Sequence, residues 1–144
     1  MAEQFEIVEH EGYDAKYNMP YVPAIKVRGG ATVYVSGVTA APVYHSHPHI
    51  ASEFDGIPAD AAEQARLTME NLRVALRAAG GDLADVVQMF RFIKEIGVNQ
   101  DAINRVIGEY LGAHRPTTTT VEVVRLATDP RLVLEITAVA VVPA

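Results

Sequence analysis

Pro116-Thr117-Thr118-Thr119-Thr120-Val121-Glu122-Val123-Val124-Arg125-Leu126 is the stretch on which the reading of this chain turns. Its threonines and valines favour extended backbone, because β-branched side chains pack well on a pleated surface. They predict a strand over Thr118–Leu126, and a further strand follows over Leu132–Val142. In that last strand Leu132, Leu134, Ile136, Ala138 and Ala140 point one way, with Val133, Glu135, Thr137, Val139 and Val141 the other. A carboxylate in so apolar a strand is costly unless it is paired, hydrogen-bonded or turned toward a solvated cleft. Glu135 is therefore either half of a structural ion pair, with Arg125 or Arg91, or a site carboxylate that holds water.

Working outward, Gln4–Glu9, Ala24–Val27, Ala31–Ser36 and Val86–Glu95 read as strands. Asp60 reads as a helix cap, with Glu63 three residues on and Ala65, Met69, Leu72, Leu76 and Ala79 at alternating spacings of four and three. Gly80-Gly81 ends that helix, and Arg73 and Arg77 sit near the negative end of its dipole. Gln100–Leu111 reads as a second amphipathic helix burying Ile103, Val106, Ile107 and Tyr110. Gly37–Pro58 reads as a long loop, a kind of segment that is usually functional or mobile. The order is α+β: a single sheet of mixed strands with two helices covering one face.

Composition narrows the function classes. The 144 residues make one domain, 1–144, able to bury roughly two-thirds of the unfolded surface. Twelve basic and eighteen acidic residues give a net charge of −6, a poor match for a phosphate backbone, which needs clustered Lys and Arg. There is no cysteine, so disulfides, thiolate nucleophiles and thiolate metal sites are excluded. Met1-Ala2-Glu3-Gln4-Phe5-Glu6 lacks the basic and apolar regions of a signal peptide, and no apolar run reaches membrane-spanning length, so a cytoplasmic protein without membrane partners is expected.

The same stretch resembles the signature of the Rid (YjgF, RidA-like) family of enamine/imine deaminases, in which a proline is followed two residues later by an arginine, then by Val-Glu-Val and, after one residue, Arg-Leu. The likeness continues along the chain. Tyr21 sits in Met19-Pro20-Tyr21-Val22, like the family's Gly-Pro-Tyr; Val35-Ser36-Gly37 looks like its Ser-Gly turn; Ile57–Arg66 is similar to its helix entry; Asn104 and Glu135 fall where the family has an Asn and its final Glu. The resemblance implies a chorismate mutase-like (YjgF-like) fold and a homotrimer with a cleft between each pair of subunits. In active relatives Tyr, Ser, Arg and Glu line that cleft, with the Asn near the subunit boundary. Water oriented by the Glu adds to an imine carbon and ammonia leaves. On this pattern Glu135, Ser36 and Tyr21 are the expected catalytic residues, and Thr118, Thr120, Asn104 and Arg91 the expected substrate-binding ones, with no cofactor and no metal.

Two places depart from the family. The arginine position reads Thr118, and a hydroxyl offers one neutral donor where guanidinium forms a bidentate fork on a carboxylate. Either the substrate has no carboxylate there, or another cation (Arg91 or Arg115) replaces the arginine, or catalysis is lost and the cleft only binds. For Arg91 the plain alternative is an edge or interface charge. The second departure is Tyr44-His45-Ser46-His47-Pro48-His49. Alternating histidines in an extended segment project to the same side, a three-imidazole set of the kind that binds metal. Pro48 and the lack of a matching acidic pattern favour plain surface histidines, or a proton-transfer role for His45, His47 or His49 at the cleft mouth. The expected function is a Rid-like hydrolase or deaminase acting on an enamine, imine or related small carbonyl compound, and not the standard 2-imino acid reaction. The alternative is a non-catalytic ligand-binding or regulatory trimer that retains the cleft.

Overall fold

A computed structural model describes residues 4–144, so the leader-free reading of Met1-Ala2-Glu3 lies outside the described residues. The strands are β1 (Phe5–Val8), β2 (Ala24–Val27), β3 (Ala31–Val38), β4 (Val86–Lys94), β5 (Thr117–Val123) and β6 (Leu134–Val142), and the helices are α1 (Ala61–Ala78) and α2 (Ile96–Leu111). Four strands form one mixed sheet in the order β3-β6-β4-β5. β6 runs antiparallel to both β3 and β4, whereas β4 and β5 are parallel and joined through α2. The expected single sheet is corrected in one respect: β1 and β2 pair with each other in a separate two-stranded sheet.

Both helices lie on one face of the main sheet. Met69, Leu72 and Leu76 of α1 and Ile103, Val106 and Ile107 of α2 pack with Met89, Ile93, Leu134, Ile136, Ala138 and Ala140, all nearly free of solvent. The alternation of β6 follows as far as Ala140: the residues on the helix side are buried, and Val133, Glu135, Thr137 and Val139 opposite are half-buried, whereas Val141 is buried at the strand's end. The other face carries Tyr34, Phe90 and Phe92; among the described residues neither α1 nor α2 covers it, and Phe92 packs against a second, smaller core. No helix among the described residues is long and apolar enough to cross a membrane.

The Asp60 side chain accepts a hydrogen bond from the Glu63 amide at 3.0 Å, as the cap pattern predicts, and Gly80 takes a positive φ of 88° beyond the last turn. The second helix begins at Ile96, four residues before the predicted start. Its first turn holds the exposed Gly97 and Val98, so apolar periodicity could not reveal it. Glu95 adopts the left-handed region (φ 50°, ψ 57°) to turn the chain out of β4, and the first helical amide, Ile96 N–H, donates to Glu122 Oε2 at 3.0 Å. β5 stops at Val123 rather than Leu126, because Leu126 leaves the sheet for a second small core with Ala40, Ala41, Phe54, Ile57 and Leu132.

That second core organises the segment expected as one long loop. Strand β3 continues to Val38, and Ala51–Phe54 forms a 3₁₀ turn. Asn71 Nδ2 of α1 donates to Thr39 O at 2.8 Å, and the fully buried Gln64 Nε2 donates to Pro58 O and Arg131 O at 2.9 Å each. Arg131 in turn reaches Ala51 O and Asp55 Oδ1, both at 2.9 Å.

Candidate active site

A cavity of about 570 Å³ opens between the helix-side face of β5, the α2 surface and the segment around Tyr21. It brings together five of the expected site residues: Tyr21, Arg91, Asn104, Thr118 and Thr120. Strand register explains three of them. In the parallel β4–β5 pair Met89 lies beside Thr118 and Arg91 beside Thr120, so the alternate threonines share the face of Met89 and Arg91. Sequence reading did not single out Gln100, which also lines the cavity and stands one helical turn before Asn104; that i, i+4 polar pair was the available signal.

Arg91 is 8% exposed. One guanidinium nitrogen, Nη2, donates to Asn104 Oδ1, while Nε is buried with no hydrogen-bond partner among the described residues. Burial pulls the guanidinium down from its ordinary pKa, because the charged form has lost water without gaining a carboxylate. Arg115 is the other cation lining the cavity, and its Nη1 is taken up by Gly112 O and His114 O. Thr118 is less available than its position implies: its hydroxyl donates to Pro116 O at 3.2 Å, which leaves the pocket an acceptor rather than a donor there.

Glu135 and Ser36 are elsewhere. Glu135 stands opposite Phe92 in the β4–β6 register, whereas Arg91 stands opposite Ile136, so the two side chains lie on opposite faces of the sheet. The ion-pair reading of Glu135 is therefore not what the chain forms: Arg91 is held by Asn104, and Arg125 Nε donates to Leu126 O at 3.1 Å. Among the described residues the Glu135 carboxylate has no hydrogen-bond or ion-pair partner. Burial raises it above the ordinary 4.5. It rests against Gly37, where a β-carbon would collide with the carboxylate, so the small residue in Ser36-Gly37 is what makes room for it. Ser36 is exposed at the irregular end of the β3–β6 register, where pairing shifts between Val35 and Val38.

His45, His47 and His49 line neither place. They form their own cluster, with ring centroids 4.8, 5.1 and 5.0 Å apart.

A family model described as endoribonuclease L-PSP matches residues 14–142. TdcF of Escherichia coli is 32% identical over 123 residues, covering 83% of this chain and 86% of its own. The 3-aminoacrylate deaminase RutC of Acinetobacter baylyi is 34% identical over 121 residues, covering 84% and 86%. Among solved structures, E. coli TdcF with bound serine superposes with a TM-score of 0.64 at 33% identity over 87% of this chain and 90% of its own. YyfB of Yersinia pestis, a Rid-family protein, gives a TM-score of 0.77 at 24% identity over 97% and 100%, a likeness of fold.

Proposed function

The chain belongs to the Rid (YjgF) family, and from that premise we propose that it is a hydrolytic deaminase of a small enamine or imine, working at clefts between the subunits of a homotrimer. The observation that carries this reading is Glu135: a half-buried carboxylate with no partner among the described residues, its pKa raised, beside Ser36-Gly37. A carboxylate that holds its proton more tightly than usual is suited to exchanging protons with a bound water and substrate. A carboxylate sealed in a salt bridge would instead have favoured the non-catalytic binding trimer.

The reaction needs proton transfer and positioning. The enamine carbon takes a proton from protonated Glu135 and becomes an iminium, leaving the carboxylate ready to accept the proton that water gives up. Water held by Glu135 gives a proton to the carboxylate as its oxygen bonds to the iminium carbon. The carbinolamine then loses its nitrogen as ammonia, leaving a carbonyl. Ser36 and Tyr21 hydrogen-bond the substrate, and Asn104 holds the guanidinium of Arg91. The substrates or ligands named for two relatives, 3-aminoacrylate and serine, both carry a carboxylate. In this cavity the carboxylate partner is Arg91, aligned with Thr120, in place of residue 118. The net charge of −6 supports a small molecule over RNA as the substrate.

Ammonia release from freshly generated 2-aminoacrylate or 2-iminobutanoate tests this. The expected turnover is slower than that of relatives with arginine at position 118, further weakened in KM by Arg91→Ala, and reduced by at least ~100-fold by Glu135→Gln with the fold intact. Turnover as fast as those relatives and indifferent to Arg91→Ala would overturn the anchor assignment. Full activity in Glu135→Gln would overturn the reaction scheme.

A further inference from the structure

We propose that His45, His47 and His49 form a binding site for a divalent transition-metal ion of the zinc, nickel, cobalt and copper class, separate from the cavity of Arg91 and Asn104. Three imidazoles crowded on a loop need a reason. If they were merely surface residues, each would spread into water, and any protonation would set like charges about 5 Å apart. Instead each ring meets both others, and one nitrogen from each lies within 4.8 Å of the other two.

The surroundings hold the cluster in a form suited to a metal. His45 Nδ1 lies 2.7 Å from Pro42 O; a carbonyl only accepts, so Nδ1 carries the hydrogen and Nε2 of the neutral ring keeps its lone pair. That arrangement, one ring nitrogen donating to a backbone carbonyl and the other free, is how metal-bound histidines are ordinarily oriented. Phe54, 1% exposed, stands edge-on to His45 and His49 at 5.0 and 5.6 Å and gives both rings a fixed apolar floor. Ser46, between the first two histidines, is fastened at both its amide and its hydroxyl to the Glu53 carboxylate, at 2.8 and 2.9 Å. These bonds, with Asp55 and Ala51 held by Arg131, fix the loop before any ligand arrives, so little ordering remains to oppose binding.

The donor set selects the ion. Three neutral nitrogens with no thiolate suit zinc, nickel, cobalt or copper and not magnesium or calcium, which require oxygen. Bonds of ~2.1 Å in tetrahedral geometry place the nitrogens ~3.4 Å apart, so nitrogens now up to 4.8 Å apart must close by as much as about 1.4 Å. His47 and His49 are exposed and free to make that movement. Three protein ligands leave at least one coordination position for water.

Tag-free protein stripped with chelator and titrated with zinc chloride tests the site by calorimetry. One zinc per chain with a Kd in the micromolar range or tighter is expected, with no heat from magnesium chloride. His47→Gln and His49→Gln, at exposed positions, weaken binding by at least about tenfold each while the metal-free Tm stays at the wild-type value. Cobalt(II) gives an intense visible spectrum in the wild type that the double variant lacks. Fewer than one zinc per three chains, or the same zinc affinity and cobalt spectrum in the double variant, overturns the proposal.

Discussion

At the scale of single residues, Glu135 and Gly37 act as a pair. The carboxylate occupies the space that a side chain at position 37 would fill. Gly37→Ala is expected to push Glu135 out of place, lowering kcat by the same order as loss of the carboxylate and stability by about 1–3 kcal/mol, the usual effect of overpacking. Urea unfolding and the ammonia assay measure both. Burial also makes a pH prediction. The folded state binds the Glu135 proton more tightly than the unfolded chain does, because its pKa is raised above 4.5. That contribution to stability is complete below pH 4.5 and disappears as pH rises through the folded value, so ionised Glu135 is a net cost at neutral pH. Glu135→Gln should therefore have a higher Tm than wild type at pH 7 and no advantage at pH 4. A variant less stable than wild type at pH 7 would show that the carboxylate has a partner after all.

At the scale of elements, the Val121-Glu122-Val123 frame has a structural task that its sequence does not announce. Glu122 accepts from the first amide of α2, which has no acceptor within its own helix. Glu122→Ala should cost about 1 kcal/mol, seen as a fall in Tm of roughly 2–4 °C, with activity retained. The site half of β5 makes the complementary prediction. Because Thr118 lines the same cavity as Arg91 and spends its hydroxyl on Pro116 O, Thr118→Arg should raise kcat/KM for 2-iminobutanoate by roughly 10- to 100-fold, the worth of a charge-assisted contact. No gain would mean that the substrate's anionic group does not reach β5. Periodicity made β4, β6 and α1 legible in the sequence because each buries one regular stripe, and the Asp60 cap was readable from three residues. The start of α2 was hidden because Gly97 and Val98 bury nothing, and the end of β5 because Leu126 is apolar for a different core. Five candidate residues, Tyr21, Arg91, Asn104, Thr118 and Thr120, could be picked out by type and then found lining one cavity. The division of the site residues between two faces of a sheet was not legible, since it depends on which strands become neighbours and in what register.

At the scale of the whole molecule, that division is the strongest argument for assembly. Arg91, Asn104, Thr118 and Thr120 look toward α2, while Glu135 lies on the opposite face beside Phe92, so one chain does not join the Glu135 carboxylate to the Arg91 pocket. Beyond the second core that face is also apolar where it should be wet: Tyr34 is 80% exposed, and Phe90 remains half-buried. A closed ring of three identical chains resolves both, because a head-to-tail interface can bring Glu135 of one copy to the pocket of the next. Phe90→Asp should then turn a particle of three times the chain mass into monomers in light scattering, and abolish activity although Phe90 performs no chemistry. Mixing gives the sharper test. Glu135→Gln trimers are nearly inactive, and Arg91→Ala trimers are nearly so when assayed at substrate concentrations far below their raised KM. After unfolding and joint refolding at equal amounts, a cleft works only when its carboxylate comes from an Arg91→Ala chain and its guanidinium from a Glu135→Gln chain. Random assembly makes that about one cleft in four, so about a quarter of wild-type activity should return. If both groups served a cleft within one chain, every chain would carry a defect and the mixture would stay inactive at every ratio.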